Sequence, residues 1–144
     1  MLVNRTLDYA LRSLTYMGNS SVPTLSMKEI SEEEHIPLNY LAKVMRKLVN
    51  QGIVGSRVGP SGGYTLSRPP EDIKLRDIYE AIEGEIDSTA DCIDDDAVCY
   101  FFESCPQIPV WDKLRLYMIK VLEGTTLDEM MRNGSGNLGE IRFK

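Results

Sequence analysis

Apolar side chains recur at helical spacing over residues 4–17, where Leu7, Leu11, Leu14 and Tyr16 approximate one face and Ala10 lies beside them. Gly18 and Asn19 supply a C-terminal stop. A turn-rich connection over residues 20–24 leads to Ser26-Met27-Lys28-Glu29, the form of a capping box. The short helix that this opens runs to about Glu34, and His35-Ile36 make a tight turn. Pro37 suits the first turn of the next helix, where its missing N–H costs nothing. Leu38, Leu41, Met45, Leu48 and Val49 form the stripe of that helix, which ends at Gln51-Gly52.

The period then changes. Residues 53–58 are a β-branched run, Gly59-Pro60-Ser61-Gly62-Gly63 is a turn, and Tyr64-Thr65-Leu66 is a second short strand. Together they predict a β-hairpin, closed by Arg68-Pro69-Pro70. Leu75, Ile78, Tyr79 and Ile82 mark a helix ending at Gly84. Residues 85–107 show no clear period. Residues 109–122 form a longer amphipathic helix carrying Trp111, Leu114, Tyr117, Met118 and Val121, and Leu127, Met130 and Met131 add a turn or two. The Gly/Ser/Asn-rich stretch after Asn133 reads as a disordered tail.

The predicted fold is therefore mainly α with a small β-hairpin wing: a winged helix-turn-helix plus a long dimerisation helix. The expected divisions are a DNA-binding domain over 1–84, a cysteine-containing loop over 85–107, the dimerisation region over 108–132 and a tail over 133–144. The apolar face of the long helix exceeds what a small domain needs, so it is assigned to a homodimer interface, with an intramolecular core helix as the alternative. No apolar run reaches the roughly 18 residues of a membrane span. Arg5, Asp8 and Arg12 interrupt the opening segment, unlike a signal peptide. The expected location is the cytoplasm, with no membrane partner.

A net charge of −6 sits poorly with nucleic-acid binding until it is divided. Residues 1–70 carry eight basic and five acidic side chains, a balance of +3; the remainder carries eight basic and seventeen acidic, a balance of −9. An acidic half is thus joined to a mildly basic one that can meet phosphate. In a winged helix-turn-helix, the N-terminal residues of the second helix of the pair face the major groove. Asn39 and Tyr40 stand there, with Lys43, Arg46 and Lys47 further along; Lys28 lies on the preceding helix. Asn reads adenine, and Lys contacts guanine or phosphate. Lys43 and Lys47 are an i, i+4 pair and are expected to point the same way. The wing tip, Gly59, Pro60, Ser61, Gly62 and Gly63, lets backbone approach a phosphate, and Arg57 and Arg68 flank it. The plainer alternative for each of these charges is a solvated surface side chain.

Several segments together resemble the Rrf-two family of bacterial transcriptional regulators, in its IscR-like and NsrR-like branches. They are Asp8-Tyr9-Ala10-Leu11-Arg12, Lys28-Glu29-Ile30, Ile36 with Tyr40-Leu41, Lys47-Leu48, Val58 through Leu66, Arg68-Pro69-Pro70-Glu71-Asp72-Ile73 and Ala81-Ile82-Glu83-Gly84. The resemblance implies a dimeric regulator that binds a palindromic double-stranded DNA operator. Two positions depart from the family pattern. Relatives carry a basic residue just before the Gly-Pro of the wing, where this chain has Val58 and the arginine is Arg57; a one-residue shift along a strand reverses the face. Ala42 replaces an acidic residue found in the recognition helix of several relatives. The operator sequence is therefore this chain's own.

Cys92, Cys99 and Cys105 fall within fourteen residues. In a cytosolic chain such a cluster points to metal or redox chemistry before a disulfide framework. Three thiolates at this spacing can converge on one centre, and the resemblance implies an iron–sulfur cluster, 2Fe-2S or 4Fe-4S. IscR-like relatives place a histidine soon after the third cysteine; here Pro106-Gln107-Ile108 follows, and the lone histidine, His35, lies in the helix-turn-helix turn. NsrR-like relatives complete the site with an aspartate from the partner subunit, and Asp8 stands at that position. The aspartates between Cys92 and Cys99, with Asp91 and Glu103, offer other oxygen ligands or favour zinc. The plain alternatives are three unrelated buried thiols and a surface carboxylate at Asp8.

The expected function is a DNA-binding regulator that senses redox state, nitric oxide or iron–sulfur status. A cluster-free regulator controlled by thiol oxidation or a protein partner is the alternative, and an iron–sulfur electron carrier is a third reading that leaves the basic helix and glycine wing unused. An enzyme is not expected: the sequence has no nucleophile–base set and no phosphate loop.

Overall fold

The computed structural model describes residues 3–86 and 104–133. The first helix, α1 (Arg5–Asn19), starts where the Asn4 side chain accepts from the Leu7 N–H at 3.0 Å. It runs through Gly18 to Asn19, two residues past the expected end. A Cβ on Gly18 would lie 2.5 Å from the Met131 Sδ, so this glycine admits a neighbouring helix and does not stop its own.

Helix α2 (Met27–Glu34) opens with both halves of the capping box. The Glu29 N–H donates to Ser26 Oγ at 3.2 Å, and the Ser26 N–H donates to the Glu29 carboxylate at 2.7 Å. Those bonds favour the ionised form and hold Glu29 below the usual glutamate range. His35 closes α2 in the left-handed conformation, φ +52°. The Ser31 Oγ donates to the Ile36 carbonyl at 2.6 Å and fixes the turn into α3 (Leu38–Asn50). Pro37 stands just outside α3, and its carbonyl accepts from Tyr40 and Leu41. The buried face of α3 is Leu41, Val44, Met45 and Leu48; the expected stripe member Leu38 is exposed, and Val44 occupies the core in its place.

Strands β1 (Val54–Arg57) and β2 (Gly63–Leu66) pair antiparallel, with Val54 opposite Leu66 and Arg57 opposite Gly63. Leu25 adds a short third rung through two bonds with Tyr64, of 2.8 and 3.0 Å. A 3-10 turn, Pro70–Asp72, then leads into α4 (Leu75–Glu83). The core is shared by α1, α3, α4 and the hairpin base: Leu14, Ile30, Ile36, Leu41, Met45, Leu48, Ile53, Ile73 and Ile78 are fully buried. Each such side chain stabilises the fold by about 1.5–3 kcal/mol.

Helix α5 (Ile108–Gly124) buries only Leu122, while Val110, Trp111, Leu114, Leu116, Tyr117 and Val121 are 52–60% exposed. Its C-terminal end is anchored. The Leu75 N–H donates to the Thr125 carbonyl, and the Leu127 N–H to the Ile73 carbonyl, each at 2.8 Å. Arg76 bonds Glu80 at 2.9 Å and Glu123 at 2.5 Å, two contacts that hold its guanidinium firmly protonated. Helix α6 (Leu127–Asn133) folds back on α1 and the 3-10 turn. Among the described residues no helix is long and apolar enough to cross a membrane. The expected disordered tail and most of the cysteine loop lie outside the described residues.

Gly63 has φ +150°, and a Cβ there would meet the Leu25 carbonyl oxygen at 2.5 Å. Gly63→Ala is therefore expected to destabilise the chain by about 1–3 kcal/mol through backbone strain, read as a lower urea midpoint with an unchanged slope.

Candidate nucleic-acid interface

The four buried positions of α3 leave the opposite side of the helix in solvent, and its exposed residues fall on two flanks. Ala42, Arg46 and Asn50 turn toward the wing, where with Val49, Ser56 and Tyr64 they line an open cleft of about 300 Å³. Tyr40, Lys43 and Lys47 turn toward the body of the protein. The Tyr40 ring meets Tyr9 of α1 edge-on at 6.3 Å, and the Lys43 Nζ lies 5.8 Å from the Tyr40 ring centre. The Lys47 Nζ donates to the Ile82 carbonyl at 2.6 Å. Lys43 and Lys47 share one flank, as their spacing predicts, but the Lys47 amine is engaged with α4. Asn39 is exposed at the start of the helix.

Arg46 and Arg57 are exposed and make no ion pair with any other described residue. Arg57 ends β1, and Val58 beyond it is 97% exposed. Gly59, Pro60 and Ser61 form the exposed tip, closed by the Gly62 N–H donating to the Gly59 carbonyl at 2.9 Å. A Cβ on Gly62 would sit 2.2 Å from the Arg57 carbonyl oxygen, so the tip can fold this tightly only with glycine there. Lys28 lies on the exposed side of α2, 3.8 Å from Glu32, a surface pair of little energetic weight. Arg68 is turned away from the wing tip, onto Asp77 at 3.2 Å.

Asp8 lies on α1 with its side chain 49% exposed, 3.6 Å from Arg12. The Arg12 guanidinium also bonds the Glu34 carboxylate at 3.2 Å and the Glu34 carbonyl, tying α1 to the end of α2. Cys105 is a free, half-buried thiol just before α5. Cys92 and Cys99 lie outside the described residues. Among the described residues no three metal-ligating side chains are assembled.

The sequence reading missed three cleft residues. Asn50 and Ser56 carry no charge and follow no motif. Tyr64 was read only as a strand residue. The signal for Asn50 was its i+4 spacing from Arg46, and for Ser56 its place one residue before Arg57 on a strand whose partner was already assigned.

The family model Rrf2, an iron-dependent transcriptional regulator, matches residues 3–133. A protein of Aquifex aeolicus named for an HTH-type transcriptional regulator is 31% identical over 133 residues, covering 91% of this chain and 92% of its own. Among solved structures, T. potens IscR superposes with a TM-score of 0.73 at 24% identity, covering 99% of this chain and 93% of the other. CymR of B. subtilis gives 0.72 at 24% identity, covering 90% and 95%. These two likenesses establish a winged-helix fold. The chain belongs to the Rrf2 family, whose members are transcriptional regulators and not enzymes.

Proposed function

We propose that this chain is a cytoplasmic homodimeric regulator that reads a palindromic DNA operator with α3 and the wing, and that its DNA affinity is set by an iron–sulfur cluster. The observation that carries the DNA reading is the exposed Arg46, which lines the open cleft between α3 and the hairpin, together with the exposed Arg57 at the end of β1; neither makes an ion pair among the described residues. Their charges are free to displace counterions from phosphate. Asn39 is placed to meet base edges, while Lys28, Tyr40 and Lys43 stand at the margins as backbone contacts. The tip from Gly59 to Gly63 presents backbone to the adjoining groove.

Helix α5 supports the dimer. Val110, Leu114, Tyr117 and Val121 recur at the four-and-three spacing of a helix-pairing stripe, and the described residues leave each of them more than half exposed. A second copy offers the same stripe by two-fold symmetry, and the two recognition helices then meet two half-sites.

The residues that would hold the cluster are Cys92, Cys99 and Cys105, with Asp8 contributed by the second copy. The set fits by its chemistry: soft thiolates with one exchangeable oxygen ligand. Asp8 is exposed enough to be reached from another chain, and Arg12 beside it keeps a positive charge near the carboxylate. When bound, the cluster supplies a centre that responds to oxidation or nitric oxide. Asp8 would then exchange between that centre and Arg12, and Arg12 carries the change to Glu34, the last residue of α2.

Three outcomes test this reading. Arg46→Met and Arg57→Met are each expected to weaken binding to duplexes recovered by in vitro selection, and to lower the slope of log affinity against log salt by about one. Failure of the wild-type protein to bind any palindromic or promoter duplex, with or without cluster, overturns the DNA reading. Leu114→Asp with Val121→Asp is expected to leave a folded monomer in sedimentation equilibrium; a persisting dimer places the interface elsewhere. Protein purified without oxygen is expected to show iron–sulfur absorption and Mössbauer signals that vanish in Cys99→Ala and weaken in Asp8→Ala. A colourless, iron-free wild type that still binds DNA would transfer control to thiol oxidation or a protein partner.

A further inference from the structure

Lys47 sits on α3 among the basic residues that face DNA in this reading, yet its amine is committed elsewhere. It donates to the Ile82 carbonyl at 2.6 Å, across 35 residues of sequence. Ile82 lies in the last turn of α4, where backbone carbonyls have no partner in their own helix and carry the negative end of the helix dipole. A lysine ammonium is the natural group to satisfy such a carbonyl. On the other side of the same turn, the Asn4 side chain donates to the Glu83 carboxylate at 2.7 Å. The end of α4 is thus gripped by the start of α1 and the last turn of α3. Cys92 follows Glu83 by nine residues in the sequence.

The opposite end of the same flank of α3 is joined to α1. Tyr40 meets Tyr9, the residue after Asp8, edge-on at 6.3 Å. The flank formed by Tyr40, Lys43 and Lys47 therefore links the recognition helix to α1, which carries Asp8, and to the end of α4. The flank formed by Ala42, Arg46 and Asn50 makes no such link and faces the wing.

We propose that Lys47 is a positioning residue and not a DNA contact: its bond to the Ile82 carbonyl sets the angle of the recognition helix from the end of α4. This rests on the assignment of α3 as the recognition helix. Removing the amine changes how well both half-sites are met at once, without removing a phosphate contact.

The two roles leave different marks on the salt dependence. Lys47→Met is expected to weaken binding of the full-length protein to a selected duplex several-fold, with the slope of log affinity against log salt unchanged from wild type. Arg46→Met on the same duplex lowers that slope by about one. A similar fall in slope for Lys47→Met, or an unchanged affinity, overturns the proposal. Reductive methylation of the wild-type protein, read by mass spectrometry, makes the test independent of that variant's folding. Lys47, exposed but with its amine bonded to the Ile82 carbonyl, is expected to react more slowly than Lys28 in the free protein, and its rate is expected to stay the same when DNA is added. Equal reactivity in the free protein, or protection that arises only with DNA, overturns the proposal. A wild type that binds no duplex but shows a slow Lys47 would instead remove the DNA reading and leave the bond to α4 standing.

Discussion

The structure depends on burying one face of α3. Leu41, Val44, Met45 and Leu48 are 0–1% exposed, and they draw α1, α4 and the base of the hairpin around them. A helix packed on that side has only its opposite side to offer a ligand. The burial therefore also fixes the direction in which Asn39 and Arg46 face, and it seats the wing beside them. Ile53 and Val54, at 1% exposure, carry the start of the hairpin into the same core, so the wing cannot turn independently of the helix. Affinity for DNA and stability of the fold are in this sense set by one set of contacts.

The elements of that core were legible in the sequence because their signals are local. The capping box at Ser26 and Glu29, the turn at His35, the glycines of the wing and the helix over residues 75–83 all follow from spacings of a few residues. The errors came where a distant contact decided the outcome. Gly18 looks like a stop in sequence, but it lies inside α1, where the side chain of Met131, more than a hundred residues later, packs against it. Leu38 continues the apolar stripe by spacing, yet Val44 is what the core accepts, since the stripe of a helix is judged by its neighbours and not by its own period alone. Lys47 reads as one half of a basic pair until the carbonyl of Ile82 is brought beside it.

The candidate site divides in the same way. The wing and the basic face of α3 could be placed from motif and period, and the structure adds the cleft that joins them. The three cysteines were legible as a cluster in sequence, and their proposed relation to Asp8 would run between copies of the chain. No periodicity within one chain encodes a contact between two, so the family resemblance was the sole sequence source for Asp8.

The acidic C-terminal half has a physical counterpart in this arrangement. Charge repulsion between a −9 segment and phosphate opposes docking of the chain on DNA by any face except the one formed in residues 1–70. It lowers non-specific affinity, which is mainly electrostatic, more than it lowers affinity at a site where base contacts also engage. A protein of net charge −6 can therefore still discriminate strongly, because discrimination is the difference between specific and non-specific binding and the acidic half acts chiefly on the second. The same bias makes the geometry of the basic half decisive. With little general attraction to hold the chain on DNA, affinity at an operator rests on how well the contacts of the basic half fit it.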